Sequence, residues 1–306
     1  MTNMLLHRAA SGAVVLLIAL FALRSQAEEA VPVDELSAHT HFHGLAVDRA
    51  DPSRLHLATH HGLYVVGPDG VATRVSADRN DYMGFTAHPA DPATLYASGH
   101  PPGGGNLGVV VSRDGGRSWS ALATGVDGPV DFHQLDASAA DPEVLYGAHA
   151  GRLQVSRDGG RSWEVAAPAP EGLIDLAASA KDADVLYAAT QQGLLRSTDG
   201  GRSWREAHPL RQPATLVEVT PEGRVWAFLV GTGLIRADEP DLAWTTLEAS
   251  LGEAVLLHLA VDPVAPERLY AVSYDLRSKA QALVTSGDGG RSWSPLGAGA
   301  AATQDR

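Results

Sequence analysis

Histidine is the residue type whose number and spacing in this sequence point most clearly to chemistry. The chain has 13 histidines, and three of them, His39, His41 and His43, alternate along the sequence. In a β-strand, side chains spaced by two residues point to one side. Imidazoles that converge with a carboxylate form sites for zinc or copper. Because the chain has no cysteine, such a site would have only nitrogen and oxygen ligands.

A second set of residues can be interpreted as catalytic. Asp175 and Glu218 would form a pair of carboxylates of the kind that hydrolyses glycosides. The alternative is that Asp175 and Glu218 are hydrogen-bonded polar groups in a wet channel. Both interpretations depend on the elements that position these residues.

Four segments of sequence S-x-D-G-G-R-S-W reveal a repeat along the chain. Their aspartates are Asp114, Asp158, Asp199 and Asp288. The last of these steps is about twice as long as the others, so one repeat without the motif lies between Asp199 and Asp288. A further degenerate copy, at 67–70, precedes the first motif.

Short runs rich in Val, Leu and Tyr alternate with Gly, Pro and Asp inside each repeat, which is typical of strands and turns. A unit of roughly 40–45 residues with four strands has the size of a propeller blade. We therefore predict an all-β fold, a six-bladed β-propeller of four-stranded antiparallel blades; a seventh blade is the open alternative. The six units begin near His43, Gly84, Phe132, Ile174, Leu216 and Leu257.

The repeated motif resembles the Asp-box, or BNR, repeat of the sialidase-like propeller superfamily, over roughly residues 40–297. Overall the sequence is similar to bacterial exported Asp-box proteins labelled glycosyl hydrolases. Photosystem II assembly-factor propellers and sortilin-type propellers share the repeat. Enzymes and binding proteins both contain it, so the resemblance implies a fold rather than an activity.

The resemblance also implies a structural role for the motif residues. The box would form the hairpin turn between the third and fourth strands of a blade, where the Asp accepts backbone N–H groups and the Trp packs over the hairpin. We therefore assign a structural role to Asp114, Trp119, Asp158, Trp163, Asp199, Trp204, Asp288 and Trp293.

Ligand binding is expected on the face opposite the Asp-boxes. There the first strand of each blade, which lines the central channel, begins, and the second strand of the blade ends. The residues expected to bind zinc, copper or a polar molecule there are His41, His43, His60, His100, His133 and Asp131. The alternatives are that the same histidines act in general acid–base catalysis or that they have no specific role.

Sialidase activity is not expected. The family's first substrate-binding arginine lies in an Arg-Ile-Pro motif, which this sequence lacks. Asp175 and Glu218 would make the channel acidic, and an acidic channel repels an anionic sugar. The enzymatic alternative is therefore a glycoside hydrolase that acts on a neutral glycan, with Glu218, Tyr274 and Asp175 as its catalytic residues.

Composition restricts the partners of the chain. It has 23 Lys and Arg against 36 Asp and Glu, a net charge of −13, which argues against nucleic-acid binding. A small polar ligand, a glycan or a protein is the expected partner, and the chain is expected to be a monomer.

The first 27 residues have the pattern of a signal peptide. An apolar run at 11–23 is followed by Ser25-Gln26-Ala27, and the run is too short to span a bilayer comfortably. We predict a signal peptide at 1–27, a linker at 28–37, the propeller at 38–297 and a disordered tail at 298–306. The protein would be periplasmic or secreted, with no membrane insertion after signal removal; an uncleaved anchor is the alternative.

Overall fold

The inner strands of six antiparallel sheets surround a central channel in the computed structural model, which describes residues 30–247 and 251–298. This confirms the predicted six-bladed β-propeller. The expected signal peptide at 1–27 lies outside the described residues. Within the described part of the chain, no helix has the length and apolar composition needed to cross a membrane.

The first three blades are built from consecutive stretches of chain. The strands of blade 1 are β2 (Phe42–Val47), β3 (Leu55–Thr59), β4 (Gly62–Val66) and β5 (Val71–Arg74). Those of blade 2 are β6 (Asp81–Ala87), β7 (Leu95–His100), β8 (Val109–Ser112) and β9 (Ser120–Ala123). Those of blade 3 are β10 (Gln134–Ala137), β11 (Leu145–His149), β12 (Arg152–Ser156) and β13 (Glu164–Pro168).

The other three blades repeat this order. The strands of blade 4 are β14 (Leu173–Ala178), β15 (Leu186–Thr190), β16 (Gly193–Ser197) and β17 (Arg205–Glu206). Those of blade 5 are β18 (Ala214–Val219), β19 (Arg224–Leu229), β20 (Gly233–Asp238) and β21 (Thr245–Thr246). Those of blade 6 are β22 (Ala254–Val261), β23 (Leu269–Asp275), β24 (Gln281–Ser286) and β25 (Ser294–Pro295).

Residues 30–37, which the sequence assigns to a linker, have regular structure. Strand β1 (Ala30–Pro32) pairs antiparallel with β5 and gives blade 1 a fifth, outer strand. It is followed by a short helix, α1 (Val33–Ser37), which buries Val33 and Leu36. The segment therefore belongs to the outer edge of the propeller.

A separate hydrophobic core fills each interface between neighbouring blades. Between blades 3 and 4, for example, Tyr146 and Leu153 pack with Leu176 and Leu186, and all four side chains are buried. Apolar surface removed from water contributes roughly 25 cal/mol per Å², so the stability of the ring depends on contacts between blades.

One glutamine adds polar contacts to the interface between the last blade and the first. Gln281 begins β24 in blade 6, and its side-chain Oε1 accepts a hydrogen bond from the backbone N–H of Phe42, at 2.7 Å. Its Nε2 donates to the backbone oxygen of the same residue at 3.3 Å. Both polar groups at the start of β2 are therefore bonded to blade 6.

The repeated Ser-x-Asp-Gly-Gly segments connect the third strand of a blade to the fourth. In blade 3, Asp158 Oδ1 accepts the backbone N–H of Ser162 at 2.8 Å, and Oδ2 accepts the Ser162 hydroxyl at 2.6 Å. These bonds lower the pKa of Asp158 to about 2. The ring of Trp163 packs on Phe132, with centroids 4.9 Å apart. Each such turn lies at the face where the inner strand ends.

Candidate functional site

The opposite face, called here the histidine face, is where each inner strand begins. Because neighbouring strands are antiparallel, the first residue of an inner strand lies beside the last residue of the second strand. In blade 2 these residues are Asp81 and His100, which are Cα partners. Polar side chains from separate parts of the chain are therefore brought to one place.

A break in strand pairing recurs at this end of the inner strands. In blade 1 the register shifts between Phe42 and Gly44, so His43 is left in a bulge. Ile174, Thr215 and Leu257 occupy the corresponding bulges of blades 4, 5 and 6. A bulge directs one extra side chain away from the regular ladder. The bulge is therefore a recurring feature of the blades, and in blade 1 a histidine occupies it.

The first cluster, called triad 1, consists of His43, His60 and Asp81. His60 Nδ1 lies 2.7 Å from Asp81 Oδ2, and His43 Nε2 lies 3.1 Å from His60 Nε2. One ligand atom from each residue lies within 4.8 Å of the others. His43 Nε2 also lies 3.3 Å from His60 Nδ1, so ring nitrogens of both histidines and a carboxylate oxygen of Asp81 face one another.

Burial keeps His43 neutral. Removal from water, together with smaller effects of the nearby rings of His60, His258 and His41, lowers its pKa to about 3. A neutral imidazole is the form that binds a metal ion, so His43 needs no deprotonation at neutral pH. His41 itself is exposed at the rim, with its ring centroid 5.3 Å from that of His60.

The second cluster, called triad 2, consists of His100, Asp131 and His133. Asp131 Oδ2 lies 2.8 Å from His133 Nε2 and 3.1 Å from His100 Nε2. Burial acts to raise the pKa of Asp131, but the hydrogen bond from His133 and the neighbouring histidines outweigh it and lower that pKa. The same hydrogen bond raises the pKa of His133.

The structure therefore brings five of the six predicted ligands into two clusters and leaves His41 beside triad 1. Asp81 is the member of triad 1 that the sequence analysis did not assign. Its signal was present, because Asp81 begins the inner strand of blade 2 and Asp131 just precedes that of blade 3. The Oδ1 atoms of Asp81 and Asp131 are buried and have no hydrogen-bond partner among the described residues. Each cluster thus has an acceptor suited to a cation.

The residues expected under the enzymatic alternative lie elsewhere. Asp175, Glu218 and His258 line a cavity of about 180 Å³ in the central channel. Asp175 Oδ2 accepts the N–H of Val217 and its Oδ1 accepts the N–H of Leu176, each at 2.9 Å. Burial raises the pKa of Asp175 to about 7 and that of Glu218 well above its usual value.

Glu218 and Tyr274 lie at different levels along their strands. Glu218 pairs with Trp226 near the end of β18, whereas Tyr274 pairs with Val255 near the start of β22. In blade 6 the residue at the level of Glu218 is Ala260. It follows Val255, the partner of Tyr274, by five residues, or ~16 Å along the strand. No hydrogen bond joins the two side chains in the described residues, and the structure does not bring them together.

Comparison with known proteins supports the fold. No protein-family model matches the chain, and no curated protein matches it. The GH74 xyloglucanase from Xanthomonas campestris is 19% identical, with a TM-score of 0.57 over 84% of this chain and 45% of that one. The GH74 enzyme from Niastella koreensis is 13% identical, with a TM-score of 0.59 over the same shares. YCF48 from Cyanidioschyzon merolae is 16% identical, with a TM-score of 0.50 over 87% and 86%.

These likenesses are at the level of the β-propeller. The chain spans less than half the length of the two GH74 structures. Sequence identities this low carry over an architecture and not a set of site residues. The chemistry of this chain must therefore be argued from its own clusters.

Proposed function

We propose that this chain is an exported β-propeller that binds a transition-metal ion, Zn²⁺ or Cu²⁺, at the histidine face. The observation that carries the proposal is triad 1. Two imidazoles and a carboxylate from three separate segments, His43, His60 and Asp81, place ligand atoms within 4.8 Å of one another. Such convergence of two blades at one point is more specific than the number of histidines in the sequence.

The donor set suits these ions. Imidazole nitrogen and carboxylate oxygen are ligands for Zn²⁺ and Cu²⁺. Asp81 Oδ2 lies 2.7 Å from His60 Nδ1, so these two ligand atoms already face each other before an ion binds. The single carboxylate of the triad offsets part of the charge of a divalent ion.

Three protein ligands leave coordination positions for a further molecule. Catalytic zinc sites have this arrangement, and the remaining position binds water or a substrate. The exposed ring of His41 and the turn at 99–106 lie beside the clusters: His100 Nδ1 donates to Gly105 O at 2.8 Å, and Asn106 Nδ2 donates to Pro129 O at 3.0 Å. A small polar ligand reaching this rim would complete the coordination of the ion.

Export follows from the sequence of the first 27 residues, with a periplasmic or secreted protein as the product. N-terminal sequencing of the mature protein from its native host tests this part of the proposal, with a start at Glu28 expected.

Metal titration of chelator-treated protein tests the site. We expect Zn²⁺ or Cu²⁺ to bind the unaltered chain, and His43→Ala and Asp81→Asn to lower its affinity at triad 1 by on the order of 10–100-fold. His88→Ala is the control, because His88 lies after β6 at the opposite face and its Nδ1 accepts backbone N–H groups. Equal affinities in all four proteins would overturn the proposal.

Glycoside hydrolysis, the alternative from the sequence, has support only at the level of the fold. Both oxygens of Asp175 accept backbone N–H groups, which suits a bond between strands β14 and β18. Turnover of aryl glycosides that is lost in Glu218→Gln would nevertheless establish it.

A further inference from the structure

Two separate triads of the same composition lie at the histidine face. Triad 1 has His43, His60 and Asp81, and triad 2 has His100, Asp131 and His133. Each has two imidazoles and one carboxylate, and they share no residue. We propose that the protein binds two divalent metal ions, one in each triad. This inference rests on the proposed function and extends it from one ion to two.

The geometry of triad 2 favours a cation. A backbone oxygen can only accept, so the 2.8 Å contact of His100 Nδ1 with Gly105 O places the proton of a neutral ring on Nδ1. The lone pair on Nε2 then faces Asp131 Oδ2 at 3.1 Å. A positive charge satisfies both atoms at this distance, supplied either by a second proton on His100 or by a bound metal ion.

Asp131 is held rigidly in place. Its backbone oxygen accepts a hydrogen bond from His149 Nδ1 at 2.8 Å, and the next residue, Phe132, donates its N–H to the buried Ser98 hydroxyl at 2.9 Å. The side chain of Asp131 is 9% exposed, and its Oδ1 has no partner among the described residues. A rigid, desolvated carboxylate with a free oxygen is a preorganised metal ligand.

The two triads are joined by one cross-strand pair. Asp81 of triad 1 and His100 of triad 2 are Cα partners on β6 and β7, and such partners lie about 4.5–5.5 Å apart. Two divalent ions on either side of this pair repel each other. The second ion therefore binds more weakly than the first, and a titration shows two steps.

Native mass spectrometry and calorimetric titration with ZnCl₂, on chelator-treated full-length protein, count the ions. We expect two Zn²⁺ per unaltered chain, one in His60→Ala, one in His133→Ala and none in the double variant. His88→Ala is the control and keeps two. The side chains of His100 and His133 are 39% and 53% exposed, so their replacement leaves the core intact; His100→Gln serves if His133→Ala does not fold.

The outcomes separate this inference from the proposed function. If the unaltered chain binds one Zn²⁺ and both single variants weaken that binding, the two triads form a single shared site. This result overturns the two-ion inference and leaves the proposed function standing. One Zn²⁺ lost only in His60→Ala overturns the role of triad 2 alone. No Zn²⁺ or Cu²⁺ bound to the unaltered chain overturns both.

Discussion

Asp81 and His100 face each other across strands β6 and β7, yet their side chains belong to different clusters. Asp81 Oδ2 contacts His60 at 2.7 Å, on the side of blade 1, while His100 Nε2 contacts Asp131 at 3.1 Å, on the side of blade 3. Blade 2 thus contributes one side chain to each triad. The arrangement means that each triad is assembled only when two blades pack correctly.

Removal of the Asp81 charge is therefore expected to act on one triad. In Asp81→Asn we expect the ion of triad 1 to bind more weakly by on the order of 10–100-fold, and the ion of triad 2 to be affected only slightly. Resolved binding steps in a ZnCl₂ titration measure both affinities. An equal loss at both steps would show that the two clusters act as one site.

The channel acids give stability a pH dependence. Burial raises the pKa of Asp136 to about 6, although its oxygens accept bonds from Ala178 N–H and the Thr86 hydroxyl at 2.8 and 2.9 Å. Because its pKa is raised in the folded state, protonated Asp136 contributes fully to the free energy of unfolding below its unfolded pKa near 4. This contribution is lost as the pH rises through its folded pKa of about 6. Asp136→Asn keeps both bonds, because the Thr86 hydroxyl can accept from the amide.

Urea unfolding at pH 4.5 and pH 8 measures this effect. From pH 4.5 to pH 8, we expect the free energy of unfolding of the unaltered protein to fall by on the order of 1–3 kcal/mol relative to that of Asp136→Asn. The comparison with the variant removes the opposite trend from His258, whose pKa burial lowers to about 4. Parallel pH profiles for the two proteins would contradict the assignment.

Gln281 contributes to ring closure in addition to the apolar core between blades 6 and 1. Its replacement by Ala leaves the N–H and carbonyl of Phe42 without their bonds to blade 6, and we expect a loss of about 1–3 kcal/mol in the free energy of unfolding. Gln192→Ala, in the exposed turn between β15 and β16, is the matched control. If both variants unfold at the same urea concentration, the closure has been misidentified.

The second glycine of the repeated turn supports contact between blades. Gly201 has φ of +84°, and a Cβ there would overlap Leu153 of blade 3. Gly151 also has positive φ, +72°, but open space at its Cβ position. Both alanine variants incur backbone strain of about 1–2 kcal/mol, and Gly201→Ala adds a packing cost of about 1–3 kcal/mol.

Thermal or urea unfolding of these two variants separates backbone strain from packing. We expect Gly201→Ala to be clearly less stable than Gly151→Ala. Equal stability would mean that Leu153 moves aside without loss.

The repeat in the sequence was sufficient to predict the blades. The blade without the motif was also predicted, and its strands β18–β21 lie between Asp199 and Asp288, where the doubled spacing placed the missing repeat. Strand β1 was not predicted, because a three-residue run has no alternation and its partner β5 lies about 40 residues away. Local patterns contain little information about such pairing.

The site was predictable only in part for the same reason. The histidines were assigned to the correct end of the blades because that depends on strand order alone. Which side chains meet depends on register and on bulges such as that at His43. Glu218 and Tyr274 come from adjacent blades, but their levels along the strands differ, and sequence spacing does not show this difference.

Anomalous diffraction tests the central claim most directly. Crystals of the full chain equilibrated with ZnCl₂, measured at the zinc absorption edge, should show a peak about 2.0–2.2 Å from ring nitrogens of His43 and His60 and from an Asp81 carboxylate oxygen. A well-diffracting crystal with no peak at these residues, or with zinc bound only elsewhere on the surface, would contradict the proposed metal site.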